Sequence, residues 1–222
     1  ALTIGTYMVI RPRQDGQYHL FSGNFPEDPV TFSKDRLDYQ KDDPWGNYPK
    51  GIIRELLTVG AELSGADIFY SGNIPNGAGL SSSASIGMVT AFALSKMVGT
   101  TLSTEQLAKL CQRAENSFIG VSTGIMDQFA IGFGKKDHAL FLNCKTLNME
   151  HVPLHLGDYK LVITNTNKRR GVANSKYNER RSECEQGLKR IRKVRSGVQA
   201  LGELTPSDFC ELKDHIKDEV VL

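Results

Sequence analysis

Ile74-Pro75-Asn76-Gly77-Ala78-Gly79-Leu80-Ser81-Ser82-Ser83-Ala84-Ser85 separates a strand-like run, Ala66-Asp67-Ile68-Phe69-Tyr70, from a helix-like one, Met88-Val89-Thr90-Ala91-Phe92-Ala93-Leu94. Pro75 stiffens the entry to this turn, and Gly77 and Gly79 admit backbone angles that other residues avoid. Ser81, Ser82 and Ser83 then present hydroxyls and amides at the start of a helix. Such a start has unpaired N–H groups and a partial positive charge, so it suits an anion such as phosphate. The competing reading is a glycine-rich connection closed by a serine cap. Three better-known loops do not fit. A dinucleotide fingerprint needs a third glycine where Ser82 stands, and a Walker A loop needs a lysine, none of which occurs between Lys50 and Lys96. A nucleophile elbow needs a glycine where Ser83 stands.

Outward from this turn, strands are expected over Leu2 to Arg11, Tyr18 to Ser22, Val30 to Ser33, residues 66–72, Ala139 to Leu142 and Leu161 to Asn165. A helix follows Pro49, with Ile52, Ile53, Leu56 and Leu57 at helical spacing, and another runs from about Ser83 to Met97. Ser103 and Gln106 form a capping box for a third, whose Leu107, Leu110, Cys111 and Ala114 share a face and whose far end carries Glu115. Gly120 to Gly132 is a glycine-punctuated stretch that holds Met126-Asp127-Gln128-Phe129. A basic helix spans about Asn174 to Val194, and a short helical tail follows. Strands and helices do not alternate regularly, so the fold class is α+β. A division near residue 157 is expected, into 1–157 and 158–222.

The 222 residues are 40% apolar and 23% charged with a formal charge of +2, the composition of a globular protein without a bulk electrostatic pull towards nucleic acid or membrane. No apolar run is long enough for a membrane span and no signal peptide opens the chain. Cys111, Cys144, Cys184 and Cys210 form no C-x-x-C pair and read as reduced thiols of a cytoplasmic protein. The chain opens on an apolar β-rich segment without an initiator Met and stops at Val220-Val221-Leu222, which reads as a piece cut from something longer.

Pro-x-Gly-x-Gly-Leu-Ser-Ser-Ser-Ala resembles the phosphate-binding motif of the GHMP family of small-molecule kinases. Gly72-Asn73-Ile74-Pro75, Gly124-Ile125-Met126-Asp127-Gln128-Phe129, Ser175-Lys176-Tyr177-Asn178-Glu179-Arg180-Arg181, Phe21-Ser22-Gly23-Asn24-Phe25 and Asn165-Thr166-Asn167 resemble galactokinase segments in order and spacing. The resemblance implies a domain like ribosomal protein S5 domain 2, lacking its first segment, followed by the start of a ferredoxin-like domain. It implies ATP-dependent phosphorylation of α-D-galactose at the anomeric hydroxyl. Gly77, Ala78, Gly79, Leu80, Ser81, Ser82 and Ser83 would bind ATP, with Ser22 as a further nucleotide contact.

Read without the family, Asp127 is a cap or turn residue, Glu115 a solvated helix end, Tyr177 a packing residue beside Arg181, Cys184, Leu188 and Ile191, and Ser22 an ordinary strand end. The resemblance makes Asp127 the base that receives the hydroxyl proton, brings Gly124 close to the sugar, and gives Tyr177 a sugar contact. It makes Ser83 and Glu115 the ligands of Mg²⁺. The basic segment of Lys168, Arg169, Arg170, Arg180, Arg181, Lys189, Arg190, Arg192, Lys193 and Arg195 reads as a solvated face balanced by Glu179, Glu183 and Glu185. Nucleic-acid binding is its sharper alternative, but no aromatic residues are interleaved for stacking. Galactokinases carry an earlier segment with a catalytic arginine and sugar-gripping residues, and a later glycine-rich segment. Neither is in these 222 residues, so the isolated chain is expected to be inactive, and a galactose- and ATP-binding sensor is the alternative function. The full-length form is expected to be monomeric.

Overall fold

The computed structural model describes residues 2–43, 45–75, 77–165 and 177–216. Its chain forms two compact units, Ala1–Ala173 and Asn174–Leu222. The first is built on a four-stranded sheet of β1 (Thr6–Pro12), β2 (Gln17–Ser22), β3 (Val30–Ser33) and β4 (Ala66–Gly72) in the order β1-β4-β2-β3. β4 is antiparallel to β1 and parallel to β2. A parallel neighbour requires a crossover, and α1 (Asn47–Thr58) supplies it. Period-two alternation turns Tyr18 and Leu20 of β2, and Ala66, Ile68 and Tyr70 of β4, into the core.

Three helices cover that face of the sheet. α1 buries Ile52, Ile53 and Leu56, as their spacing predicts. α2 (Ser82–Met97) is apolar on most sides and is tied to β4 by a buried bond between the Tyr70 and Thr90 hydroxyls, 2.9 Å. α3 (Thr104–Ala114) buries Leu107, Leu110, Cys111 and Ala114 and starts at the expected capping box. There the Ser103 hydroxyl accepts the Gln106 N–H (3.2 Å) and the Gln106 side-chain oxygen accepts the Ser103 N–H (2.8 Å). Burial among these helices also pushes the Cys111 thiol pKa up, so this cysteine is an inert packing group.

Several expectations need correction. The first strand begins at Thr6, not Leu2. The stretch Leu161 to Asn165 forms no strand, whereas β5 (His138–Leu142) pairs with β6 (Met149–Pro153), which the sequence reading passes over. Met126–Gly132 is a helix, α4, inside the glycine-punctuated stretch. Asn165 aside, the Asn165-Thr166-Asn167 segment lies outside the described residues, as do Lys168, Arg169, Arg170, Asn174, Ser175, Lys176 and Val220 to Leu222.

The second unit packs α5 (Tyr177–Arg192) and α6 (Pro206–Leu212) around Ile191, Val198, Leu212 and Ile216. On the expected packing face of α5 only Leu188 and Ile191 turn inward, while Tyr177, Arg181 and Cys184 are exposed. The described basic residues here are largely engaged. Arg180 pairs with Glu183, Arg181 with Glu185, and Arg195 with Asp208 and Glu211. Arg192 donates to the carbonyls of Val198 (2.7 Å) and Gln199 (2.8 Å). The pairings with Glu183 and Glu185 are the charge balance that the solvated-face reading expects. No helix among the described residues is long and apolar enough to cross a membrane.

Gly87 lies within α2 where the helix packs on α1 and α3. A Cβ there would lie 3.6 Å from Cys111 Sγ and 3.7 Å from Ile52 Cδ1, ordinary contact distances. Gly87→Ala is therefore expected to stabilise the fold by about 0.5–1 kcal/mol, the backbone entropy that a helical glycine forfeits. Calorimetric unfolding checks this; an unchanged or lowered melting temperature would show that the three-helix contact has no room for a methyl.

Candidate active site

The turn between β4 and α2 is anchored at its entry. Asn24 pairs both ways with Gly72, its amide nitrogen donating to the Gly72 carbonyl (2.8 Å) and its oxygen accepting the Gly72 N–H (2.9 Å). Asn73 accepts the Gly5 N–H at 2.8 Å. Gly77 and Gly79 both take positive φ, +70° and +75°, as the glycine reading requires. Ser81 also does so, with φ 58° and ψ 38°, at the residue preceding the helix. A left-handed serine costs roughly 1 kcal/mol or more, and its side chain makes no capping bond. The serine-cap reading thus fails at Ser81. A left-handed residue followed by the helical Ser82 instead forms a concave nest of N–H groups suited to an anion.

Behind this turn stands Glu115. α3 does not end there but widens into a π-type turn, Glu115–Ile119, closed by Gly120 at φ 79°. Such turns are rare inside α-helices and frequent at functional sites. The expectation of a solvated helix end is overturned, because Glu115 is only 5% exposed. Burial raises its carboxyl pKa above the usual value; the hydroxyls of Thr123 and Ser83 pull the other way, and the charge of Asp127 adds to the rise. Ser83 and Glu115 therefore meet, with Asp127 close by. A cavity of about 10 Å³ bordered by Tyr48, Ser83, Gly87 and Glu115 lies beside them. Among the described residues no group of three or more His, Cys, Asp or Glu side chains is placed to hold a metal ion. The oxygen-only pair of a hydroxyl and a desolvated carboxylate nevertheless suits Mg²⁺, which takes few protein ligands and completes its shell with phosphate and water.

Asp127 lies in the first turn of α4. The loop leading to it is stitched to the helix that carries Glu115. The Val121 N–H donates to the Glu115 carbonyl (3.1 Å), the Gln112 side chain to the Thr123 carbonyl (3.1 Å), and the Thr123 hydroxyl to the Asn116 side chain (3.2 Å). Gly124 has open space where a side chain would stand. Phe129, 1% exposed, pins α4 into the core.

Gly79, Leu80 and Ser81 line a cleft of about 710 Å³ together with Ile74, Met88 and Ile131, a volume in the range of small-molecule sites. Ala78 lies between the two glycines of the turn, and Ser82 opens the first turn of α2. Ser22 is buried at the end of β2 beside Tyr70, and its hydroxyl accepts the Asn24 N–H at 3.2 Å. Tyr177 begins α5 in the second unit and is 48% exposed. The structure thus gathers Ser83, Glu115 and Asp127 around one helix start within the first unit. Sequence reasoning missed Tyr48, Thr123 and Gln128 around Glu115. Burial pushes the Tyr48 pKa up to about 12, and the Glu115 charge adds to the rise. Gln128 was legible only as the neighbour of Asp127.

Residues 47–135 match the family described as GHMP kinases N terminal domain. Over its whole length the chain is 61% identical to a galactokinase of Halalkalibacterium halodurans, of which it covers 56%. It is 48% identical to a galactokinase of Bacillus subtilis, with 99% of this chain and 56% of that protein covered. Among solved structures it is similar to Lactococcus lactis galactokinase complexed with galactose, at a TM-score of 0.92 and 42% identity, covering 99% of this chain and 57% of that one. The chain spans a little over half the length of the curated relatives it matches.

Proposed function

We propose that this chain, whose residues 47–135 match the GHMP kinases N terminal domain, carries the phosphate-binding and proton-accepting part of an ATP-dependent galactokinase. The observation that carries this reading is the meeting of Ser83 and Glu115 beside Asp127 at the start of α2. In the proposed reaction the nest of Gly77 to Ser83 cradles the ATP phosphates through its N–H groups. Asp127 orients the anomeric hydroxyl of α-D-galactose and takes its proton as that oxygen bonds to the γ-phosphorus. The bond from the γ-phosphorus to ADP breaks, giving galactose 1-phosphate and ADP. Ser83 and Glu115 would hold Mg²⁺, which would supply positive charge to offset the negative charge that grows during transfer. Tyr177 would pack against the sugar and Ser22 near the nucleotide. Residues 1–157 form the N-terminal domain in this reading and 158–222 the beginning of a second, in a monomeric cytoplasmic enzyme.

The test is a sugar panel on the protein at the full length of its relatives, with Mg-ATP. Stoichiometric ADP and galactose 1-phosphate are expected, with galactose the preferred sugar. Galactose binding without turnover would replace the enzyme with a sensor, and faster turnover of another sugar would change the substrate.

A further inference from the structure

Gln128 is 1% exposed, one of the few polar side chains closed inside the first unit. Its carboxamide is satisfied when the nitrogen faces back along the chain, donating to the carbonyls of Gly124 (3.2 Å) and Ile125 (3.3 Å). Those are the two residues that deliver the backbone into α4 just before Asp127. The same side chain borders Glu115. A buried amide of this kind is costly unless its bonds are made, so its place here demands that the loop keep one conformation.

We propose that Gln128 is a positioning residue for phosphoryl transfer. It fixes the Gly124 and Ile125 peptide planes and so holds Asp127 at the reacting hydroxyl, and with the Gln112 and Thr123 contacts it keeps Asp127 in register with Glu115. This rests on the reading of Asp127 as the proton acceptor. Nothing lies within 4 Å of where a Gly124 side chain would stand, and the Gln128 amide restrains its peptide plane through the carbonyl. In the proposed reading the sugar approaches residue 124, and a displacement of the order of 1 Å there would cost roughly 100-fold in rate.

The experiment uses the full-length protein with Gln128→Met and Gln128→Glu, both close in shape and both without the amide donor, beside Asp127→Asn. The readout is the single-turnover rate constant for galactose 1-phosphate formation with enzyme in excess and ATP saturating, which does not depend on how much of a variant is folded. Both Gln128 variants are expected to slow roughly 10- to 100-fold, with the KM for ATP within about 2-fold of the parent. Rates within 2-fold of the parent, while Asp127→Asn collapses, would overturn the positioning role and leave the proposed function intact. If Asp127→Asn itself kept the parent rate, the assignment of the proton acceptor would fall, and the role of Gln128 with it. Should one Gln128 variant fail to accumulate, the other decides.

Discussion

Replacing Asp127 with Asn in the full-length protein is expected to lower kcat for galactose phosphorylation by roughly 10²- to 10⁴-fold, the range for a lost general base. Asparagine keeps the size of the side chain and one acceptor oxygen, so it still orients a hydroxyl, but it cannot take the proton. The loss should therefore fall on kcat, with galactose binding by calorimetry nearly unchanged. The fold gives little reason for a secondary effect. Asp127 is partly exposed in the first turn of α4, whereas Phe129 and Gln128 do the packing. A variant that turned over at the parent rate would remove Asp127 from the chemistry. One that lost galactose binding and turnover in equal measure would make it a binding group instead.

The second large effect is expected at Glu115, where stability and function should separate. Its carboxyl pKa lies above the ordinary 4.5 because burial disfavours the charged form. The sign follows from linkage. A raised folded-state pKa gives a contribution fully present below the unfolded value, near 4.5, and lost as pH rises through the folded value. The metal-free protein should accordingly lose stability as pH climbs above that region. Glu115→Gln has no such titration, so its urea midpoints should show a flatter dependence on pH over the same interval and a more stable metal-free fold at neutral pH. If Glu115 holds Mg²⁺ as proposed, the same variant removes its charged oxygen, so the Mg²⁺ concentration needed for half-maximal activity should rise roughly 10- to 100-fold or more, the size known for losing even an outer-shell partner. Equal pH dependence in parent and variant would show that Glu115 is not desolvated in solution. An unchanged Mg²⁺ requirement would take it out of the metal site.

Much of the architecture was legible because local chemistry and tertiary demand agree. Ile52, Ile53 and Leu56 repeat at helical spacing and are buried on that face. Ser103 and Gln106 cap α3 with their own side chains, a device complete within four residues. Gly77 and Gly79 permit positive φ and take it. Where a second segment must be present, the reading from sequence went astray. Leu161-Val162-Ile163 has the composition of a strand, yet a strand exists only as a pair, and among the described residues this run has no ladder. Met149 to Pro153, with a histidine and a glutamate in it, forms a strand because β5 lies beside it. Seven-residue α4 lacks the length to be stable alone, and the burial of Phe129 holds it.

The sequence by itself determined the α+β class, the glycine–serine turn as a loop between strand and helix, and, through resemblance, the residues worth watching. Those are matters of local backbone preference and residue order. Only the tertiary structure decided that Ser81 is a strained left-handed residue and not a cap. It alone showed that Glu115 is buried against Ser83 and Thr123, and that Gln128 braces the loop before Asp127. Burial and its electrostatic consequences depend on which segments close over a side chain, and residues 83, 115 and 127 become neighbours only when α2, α3 and α4 pack together.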